Sequence, residues 1–181
     1  MKNKILAISV LIVVGINPAI AERDQGPGLG IPVTDDLLKQ WDTSIFPDGE
    51  GLPMGSGHVT DGEEIYNTQC VSCHAPGGIG SALGDQLAGA QMSLTSDFPE
   101  QTIGSYWPYA TTLFDIIRRS MPMTAPGSLS DDEVYAVTAY LLYLNNLIDK
   151  DQVINQETLP DVKMPNENGF INIYETERIK E

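Results

Sequence analysis

The stretch "QCVSCHAPGG" brings together Cys70, Cys73 and His74, and it holds both cysteines of the chain. Three chemistries use such a cluster. A Cys70–Cys73 disulfide is one, but closely spaced dithiols of that kind accompany a βαβ pattern, which this chain does not show. Zinc is the second, and it needs a further pair of ligands, for which only His58 stands outside the cluster. The third is covalent haem c, for which Cys-x-x-Cys-His is the attachment signature. Cysteines three apart on one helical turn reach the two vinyl groups along one porphyrin edge, and the next residue turns its imidazole to the iron. The third reading is preferred, and a single motif implies one haem.

Iron held by His74 needs a sixth ligand. The candidates are Met54, Met92, Met121, Met123, Met164 and His58. A thioether is soft and neutral, favours ferrous iron and raises the reduction potential. "RRSMPMTAPGSLS" sets Met121 and Met123 in a loop stiffened by proline, between two strong helical segments. Met121 is preferred because it directly precedes Pro122, and Met123 is the alternative. Met54 and Met164 read as packing residues, and His58 as a solvated loop histidine in a Gly-rich stretch.

The ends of the chain bear on where this chemistry takes place. Lys2 and Lys4 precede an apolar run from Ile5 to Ile16, Asn17-Pro18 breaks it, and Ala19-Ile20-Ala21 offers small residues for cleavage. This pattern is read as a signal peptide over residues 1–21, cleaved after Ala21. The alternative, an uncleaved anchor, is disfavoured because the run falls short of the ~20 residues of a spanning helix. The expected location is the periplasm, without stable membrane insertion. The 181 residues carry 25 acidic and 10 basic side chains, a net charge of −15. Loss of Lys2 and Lys4 makes the remainder more acidic still. Such a chain is a poor match for nucleic acid or anionic membrane, which basic patches bind. It suits a partner with a basic face.

Around the cluster the chain reads as mostly α. "ERDQGPGLGIPVTDD" is an extended arm, followed by an irregular segment in which Trp41, Ile45 and Phe46 are candidate anchors. A helix opens at "TDGEEIYNTQC", where Thr60 and Glu63 have capping-box spacing. Residues 83–105 read as loop with at most short helical turns. "WPYATTLFDIIRRSMP" predicts a helix with Pro108 in its first turn, an apolar stripe of Leu113, Ile116 and Ile117, and an end at Pro122. "SLSDDEVYAVTAYLLYLNN" predicts the strongest helix, capped by Ser130 and Glu133, with Val134, Val137, Tyr140, Leu141 and Leu144 on one face. Beyond Asn146 the chain is polar and interrupted by proline, with no β alternation and no internal repeat.

"CVSCH", the Met-Pro loop and the acidic-capped helix ending in "AYLLYL" together resemble a class I cytochrome c. That resemblance implies that Gly62 and Tyr66 of the first helix pack across Val137 and Tyr140 of the last. "WDTSIFPDGEGLPMGSG", "GSYWPYATTLFDIIRRSMP", "SLSDDEVYAVTAYLLYLN" and "KMPNENGFI" further resemble the haem subunit of Sox sulfane dehydrogenase (SoxD type). They are also similar to the cytochrome partners of bacterial sulfite dehydrogenases. The likeness implies that Trp107 and Tyr109 donate to haem propionates, and that Arg118 or Arg119 pairs with them. It also implies that the Pro76 carbonyl accepts the His74 Nδ1 proton. The expected donor is a molybdenum-containing sulfite or sulfane dehydrogenase subunit, and the acceptor a downstream cytochrome or oxidase. Longer Sox members carry a second haem domain, whereas one haem motif here points to a stand-alone monohaem acceptor.

The resulting expectation is a class I cytochrome c fold around one covalent haem, with an irregular N-terminal arm and C-terminal tail. Its divisions are a signal peptide at 1–21, an arm at 22–58, a cytochrome domain at 59–150 and an extension at 151–181. The expected role is electron transfer without catalysis of its own. Two other roles share the same motif: a carrier for a different periplasmic dehydrogenase, and a haem peroxidase or gas sensor with a labile sixth ligand.

Overall fold

The computed structural model describes residues 29–90 and 94–171; the expected leader, Met92 and the chain from 172 onward lie outside them. Among the described residues the helices are α1 (Asp35–Trp41), α2 (Val59–Gln69), α3 (Val71–His74), α4 (Ile103–Tyr106), α5 (Ala110–Ser120) and α6 (Asp131–Leu144). Two short strands, β1 (Ser56–His58) and β2 (Val153–Asn155), pair antiparallel with Gly57 opposite Ile154. The mostly α class expected from the sequence is therefore the one that forms. The β pair was not foreseen, because three residues are too few to show an alternation.

α6 is the central element. Its start is capped as the spacing predicts: the Ser130 hydroxyl accepts from the Glu133 N–H, and the Glu133 carboxylate accepts from the Ser130 N–H at 2.7 Å. Every residue from Val134 to Leu142 is buried, as befits a helix that is apolar nearly all round. α2 crosses it at Gly62, where a Cβ would overlap the Ala136 carbonyl oxygen and lie 2.9 Å from the Tyr140 Cβ. One turn on, the Tyr66 and Tyr140 rings meet at 5.3 Å between centroids. Gly62, Tyr66 and Tyr140 thus meet at this crossing, and Val137 is buried in the same core. The close backbone contact falls on Ala136 rather than on Val137.

Two helix starts differ from expectation. α2 begins at Val59 with His58 in the cap position and no side-chain cap bond, so the Thr60–Glu63 capping box does not form. The β1–β2 pairing and the seating of Gly57 against the Ala136 backbone fix the entry earlier, and Val59 is buried as a result. α5 begins after Pro108, with Tyr109 as its cap. Leu113 and Ile117 are buried beneath it, while Ile116 is 40% exposed. A four-residue helix, α4, does form within the expected loop, capped reciprocally by Thr102 and Ser105.

The flanking segments are less irregular than their composition implies. α1 was not expected; the Thr34 hydroxyl accepts the Leu37 N–H at 3.3 Å, and Asp35 and Asp36 occupy its first turn, where carboxylates favour a helix. Of the candidate anchors, Ile45 packs on the core, but Trp41 is 78% and Phe46 51% exposed. Beyond α6, Ile154, Leu159 and Met164 join the core cluster, and the Asn166 amide donates to the Tyr106 carbonyl at 2.6 Å. Among the described residues no helix is long and apolar enough to cross a membrane.

Candidate functional site

The "CVSCH" stretch closes α2 and forms α3. The Cys70 N–H stays bonded to the Tyr66 carbonyl, and the Cys70 carbonyl accepts from both Cys73 and His74, at 3.1 and 3.0 Å. This tight turn puts Cys70, Cys73 and His74 on the wall of one cavity of about 500 Å³, a size ordinary for cofactor sites. No disulfide joins the two thiols. Burial pushes the Cys70 thiol up to about 11, with Cys73 adding to the effect, so it is not poised as a reactive thiolate. Among the described residues no three His, Cys, Asp or Glu side chains converge on a metal-ion site.

His74 Nδ1 lies 2.9 Å from the Asp85 carbonyl oxygen. An N–H donated there fixes the ring and leaves the Nε2 lone pair for a metal. The acceptor is thus Asp85 and not the Pro76 that the likeness implied. The reason is the path of the loop. Ala75 turns the chain at φ +61°, with its carbonyl held by the Tyr66 hydroxyl at 2.7 Å. Pro76–Gly78 makes a single tight turn, and the segment that follows folds back under His74. At Gly84 a Cβ would stand 2.9 Å from the Cys73 carbonyl oxygen and 3.0 Å from His74 Cε1. Glycine there lets the loop close until Asp85 reaches the imidazole.

Met121 occupies the cap position after α5, its N–H bonded to the Ile117 carbonyl at 3.0 Å. It is half-buried against the core and lines the cavity. Met123 also lines the cavity but is 71% exposed. Met54 and His58 are exposed and lie outside the lining, and Met164 is buried in the core. Trp107 faces the cavity; Tyr109 and Arg118 are not among the residues that line it. Arg118 Nε donates to Asp131 at 3.0 Å. Arg119 is committed to Asp115 and to the Thr43 carbonyl, each at 2.6 Å. Neither arginine lines the cavity where the likeness would place it beside a haem carboxylate.

The remaining wall is apolar, with Ile103, Leu113, Ile117, Val137 and Leu141 prominent. Among the described lining residues the only Asp, Glu, Lys or Arg is Asp85, while Gln69, Gln101, Trp107 and Thr124 supply neutral donors. Sequence reasoning missed Gly84 and Asp85. The first acts by having no side chain and the second through its backbone, so only the closely spaced glycines of "GIGSALGDQLAG" marked the turn. Two thiols, an imidazole and a thioether around an apolar cavity are the donor set that a covalently attached haem needs. The site fits that group.

Comparisons with known proteins agree in kind. The family model for cytochrome c matches residues 59–145. A chain of the sulfane dehydrogenase SoxCD crystal structure from Paracoccus pantotrophus superposes with a TM-score of 0.77 at 40% identity, covering 85% of this chain and 76% of that one. The thiosulfate dehydrogenase of Stutzerimonas stutzeri (strain A1501) is 30% identical over 89 residues, which are 49% of this chain and 28% of that enzyme. The chain thus matches well under half of that relative's length.

Proposed function

The chain belongs to the cytochrome c family, and from that premise we propose that it is a periplasmic monohaem electron carrier serving a molybdenum-containing sulfite or sulfane dehydrogenase. Membership carries covalent haem c and a role in electron transfer rather than catalysis. A bound haem supplies a one-electron ferric/ferrous couple. In this reading Cys70 and Cys73 would hold the haem through thioether links, and His74 and Met121 would hold its iron. The Asp85 carbonyl keeps the His74 proton on Nδ1. Ile103, Leu113, Ile117 and Val137 exclude water, which together with a neutral thioether favours the ferrous state.

The observation that carries the proposal is the single cavity shared by Cys70, Cys73, His74 and Met121. The donor is supported by the likeness to the SoxCD chain over most of both lengths. The excess of acidic residues supports docking on a basic partner face. Export and cleavage after Ala21 belong to the same reading, and N-terminal sequencing of the protein recovered from its native host tests them: a first residue of Glu22 is expected. Electrons pass onward to another cytochrome or an oxidase.

The decisive experiment is stopped-flow reduction of the ferric protein by the molybdenum dehydrogenase of its own host, with sulfite or a sulfane substrate, at low and high salt. Fast reduction that slows with salt is expected. Reduction by dithionite but not by that enzyme would overturn the sulfur assignment and leave a carrier for another dehydrogenase. Rapid, complete carbon monoxide binding to the reduced protein at neutral pH would instead favour a gas-binding or peroxidase role.

A further inference from the structure

Arg118 and Asp131 stand on either side of the segment that carries Met121 and Met123. Arg118 lies in the last turn of α5, and Asp131 is the first residue of α6. Their ion pair is 3.0 Å long with the side chains 28% and 39% exposed. Between them the chain makes two successive turns, closed by Ala125 N–H to Pro122 carbonyl at 2.8 Å and Ser128 N–H to Ala125 carbonyl at 3.2 Å. Met121 and Leu129, at the two ends of this segment, line the cavity, while residues 123–128 are exposed. The pair therefore ties the loop at its base, just behind the residues that face the cavity.

We propose that Arg118 is a positioning residue for Met121: its bond to Asp131 holds the ends of α5 and α6 together, so that loop 121–130 does not carry the methionine out of the cavity. This rests on the reading of Met121 as the sixth ligand. Without the tie, opening needs only the loop's own turns to give way. With it, opening must also separate a guanidinium from a carboxylate or strain the chain between them. A half-exposed pair contributes little to global stability, so its effect belongs to ligand exchange more than to folding.

The test uses the full-chain ferric holoprotein and saturating imidazole, which binds iron only after Met121 leaves. Arg118→Gln and Asp131→Asn are each expected to bind imidazole about two- to fivefold faster than the parent, a change within the range of such pairs. The double variant is expected to be no faster than either single one. Arg118→Lys, which keeps the charge, should fall close to the parent. Added sodium chloride should speed exchange in the parent and leave Arg118→Gln unmoved, because salt screens a half-exposed pair.

Single variants that lower the melting temperature yet exchange ligand at the parent rate overturn the proposal, as does an identical salt response in parent and Arg118→Gln. The sulfur-to-iron charge-transfer band in the red separates the two levels of the reading. If that band survives Met121→Ala, the Met121 assignment fails and this proposal fails with it. If Met121→Ala abolishes the band while imidazole exchange in Arg118→Gln matches the parent, only the role of Arg118 fails.

Discussion

His74 and Met121, the two proposed iron ligands, are held in different ways. The imidazole is fixed through its far nitrogen by a backbone oxygen at 2.9 Å. The thioether hangs from a helix cap, with the proline-stiffened loop behind it. An imidazole that donates such a bond is a stronger ligand and favours ferric iron. Gly84→Ala would drive a methyl against the Cys73 carbonyl and His74 Cε1 and push the Asp85 oxygen away. The expected result is a midpoint potential higher by roughly 30–60 mV, equivalent to about a three- to tenfold change in a one-electron equilibrium; protein-film voltammetry reads it. The two loop methionines part company in a second experiment. Met121→Ala should abolish the red charge-transfer absorption of the ferric protein and open the iron to carbon monoxide, while Met123→Ala, whose side chain is mostly in solvent, should change neither.

Between elements, the close crossing of α2 and α6 is the most exacting joint. Gly62→Ala cannot be relieved by a rotamer change, because the obstacle is the Ala136 carbonyl rather than a side chain. A loss of about 2–3 kcal/mol in denaturant unfolding is expected, the upper part of the range for overpacking. Ser130→Ala removes the reciprocal cap of α6 and should cost about 1 kcal/mol. These same features show what was legible in the sequence. The Cys70–His74 motif, the Ser130–Glu133 cap and the apolar runs of α5 and α6 each use side chains at fixed spacing, so they were visible before any fold was known. Thr60–Glu63 has the same spacing as Ser130–Glu133, yet it caps nothing, because pairing of β1 with β2 sets where α2 begins. Arg118 and Arg119 carry the right chemistry for a carboxylate of the cofactor; here Arg118 meets Asp131 of the next helix, while Arg119 pairs with Asp115 one turn back in α5 and with the Thr43 carbonyl. The role of Asp85 passes through a carbonyl that every residue possesses, and no sequence pattern marks it.

At the scale of the molecule, two tyrosine hydroxyls join parts of the chain that composition alone would have kept separate. Tyr66 of α2 donates to Ala75 behind the cysteine turn, and Tyr135 of α6 donates across to the Pro53 carbonyl at 2.8 Å. Both rings are fully buried. Burial is the main reason that each hydroxyl is pushed up to about 12, with Cys70 and Tyr140 adding to the rise at Tyr66 and Asp131 at Tyr135. In the unfolded chain a tyrosine titrates near 10. Between about 10 and 12 the unfolded state therefore sheds protons that the folded state keeps, and stability falls as pH rises. The contribution of the tyrosines is complete below pH 10 and is lost through pH 12, so the urea midpoint of the holoprotein, in which Cys70 would no longer be a thiol, should drop steeply above pH 10. Tyr135→Phe should cost about 1 kcal/mol at pH 8, since the Pro53 carbonyl loses its donor. Its decline above pH 10 should nevertheless be the shallower one, because one of the raised tyrosines is gone. The gap between the two curves should therefore close above pH 10. Curves that stay parallel across that range would mean that Tyr135 ionises as freely in the fold as in the open chain, and that its bond to Pro53 does not bind the segment before β1 to α6.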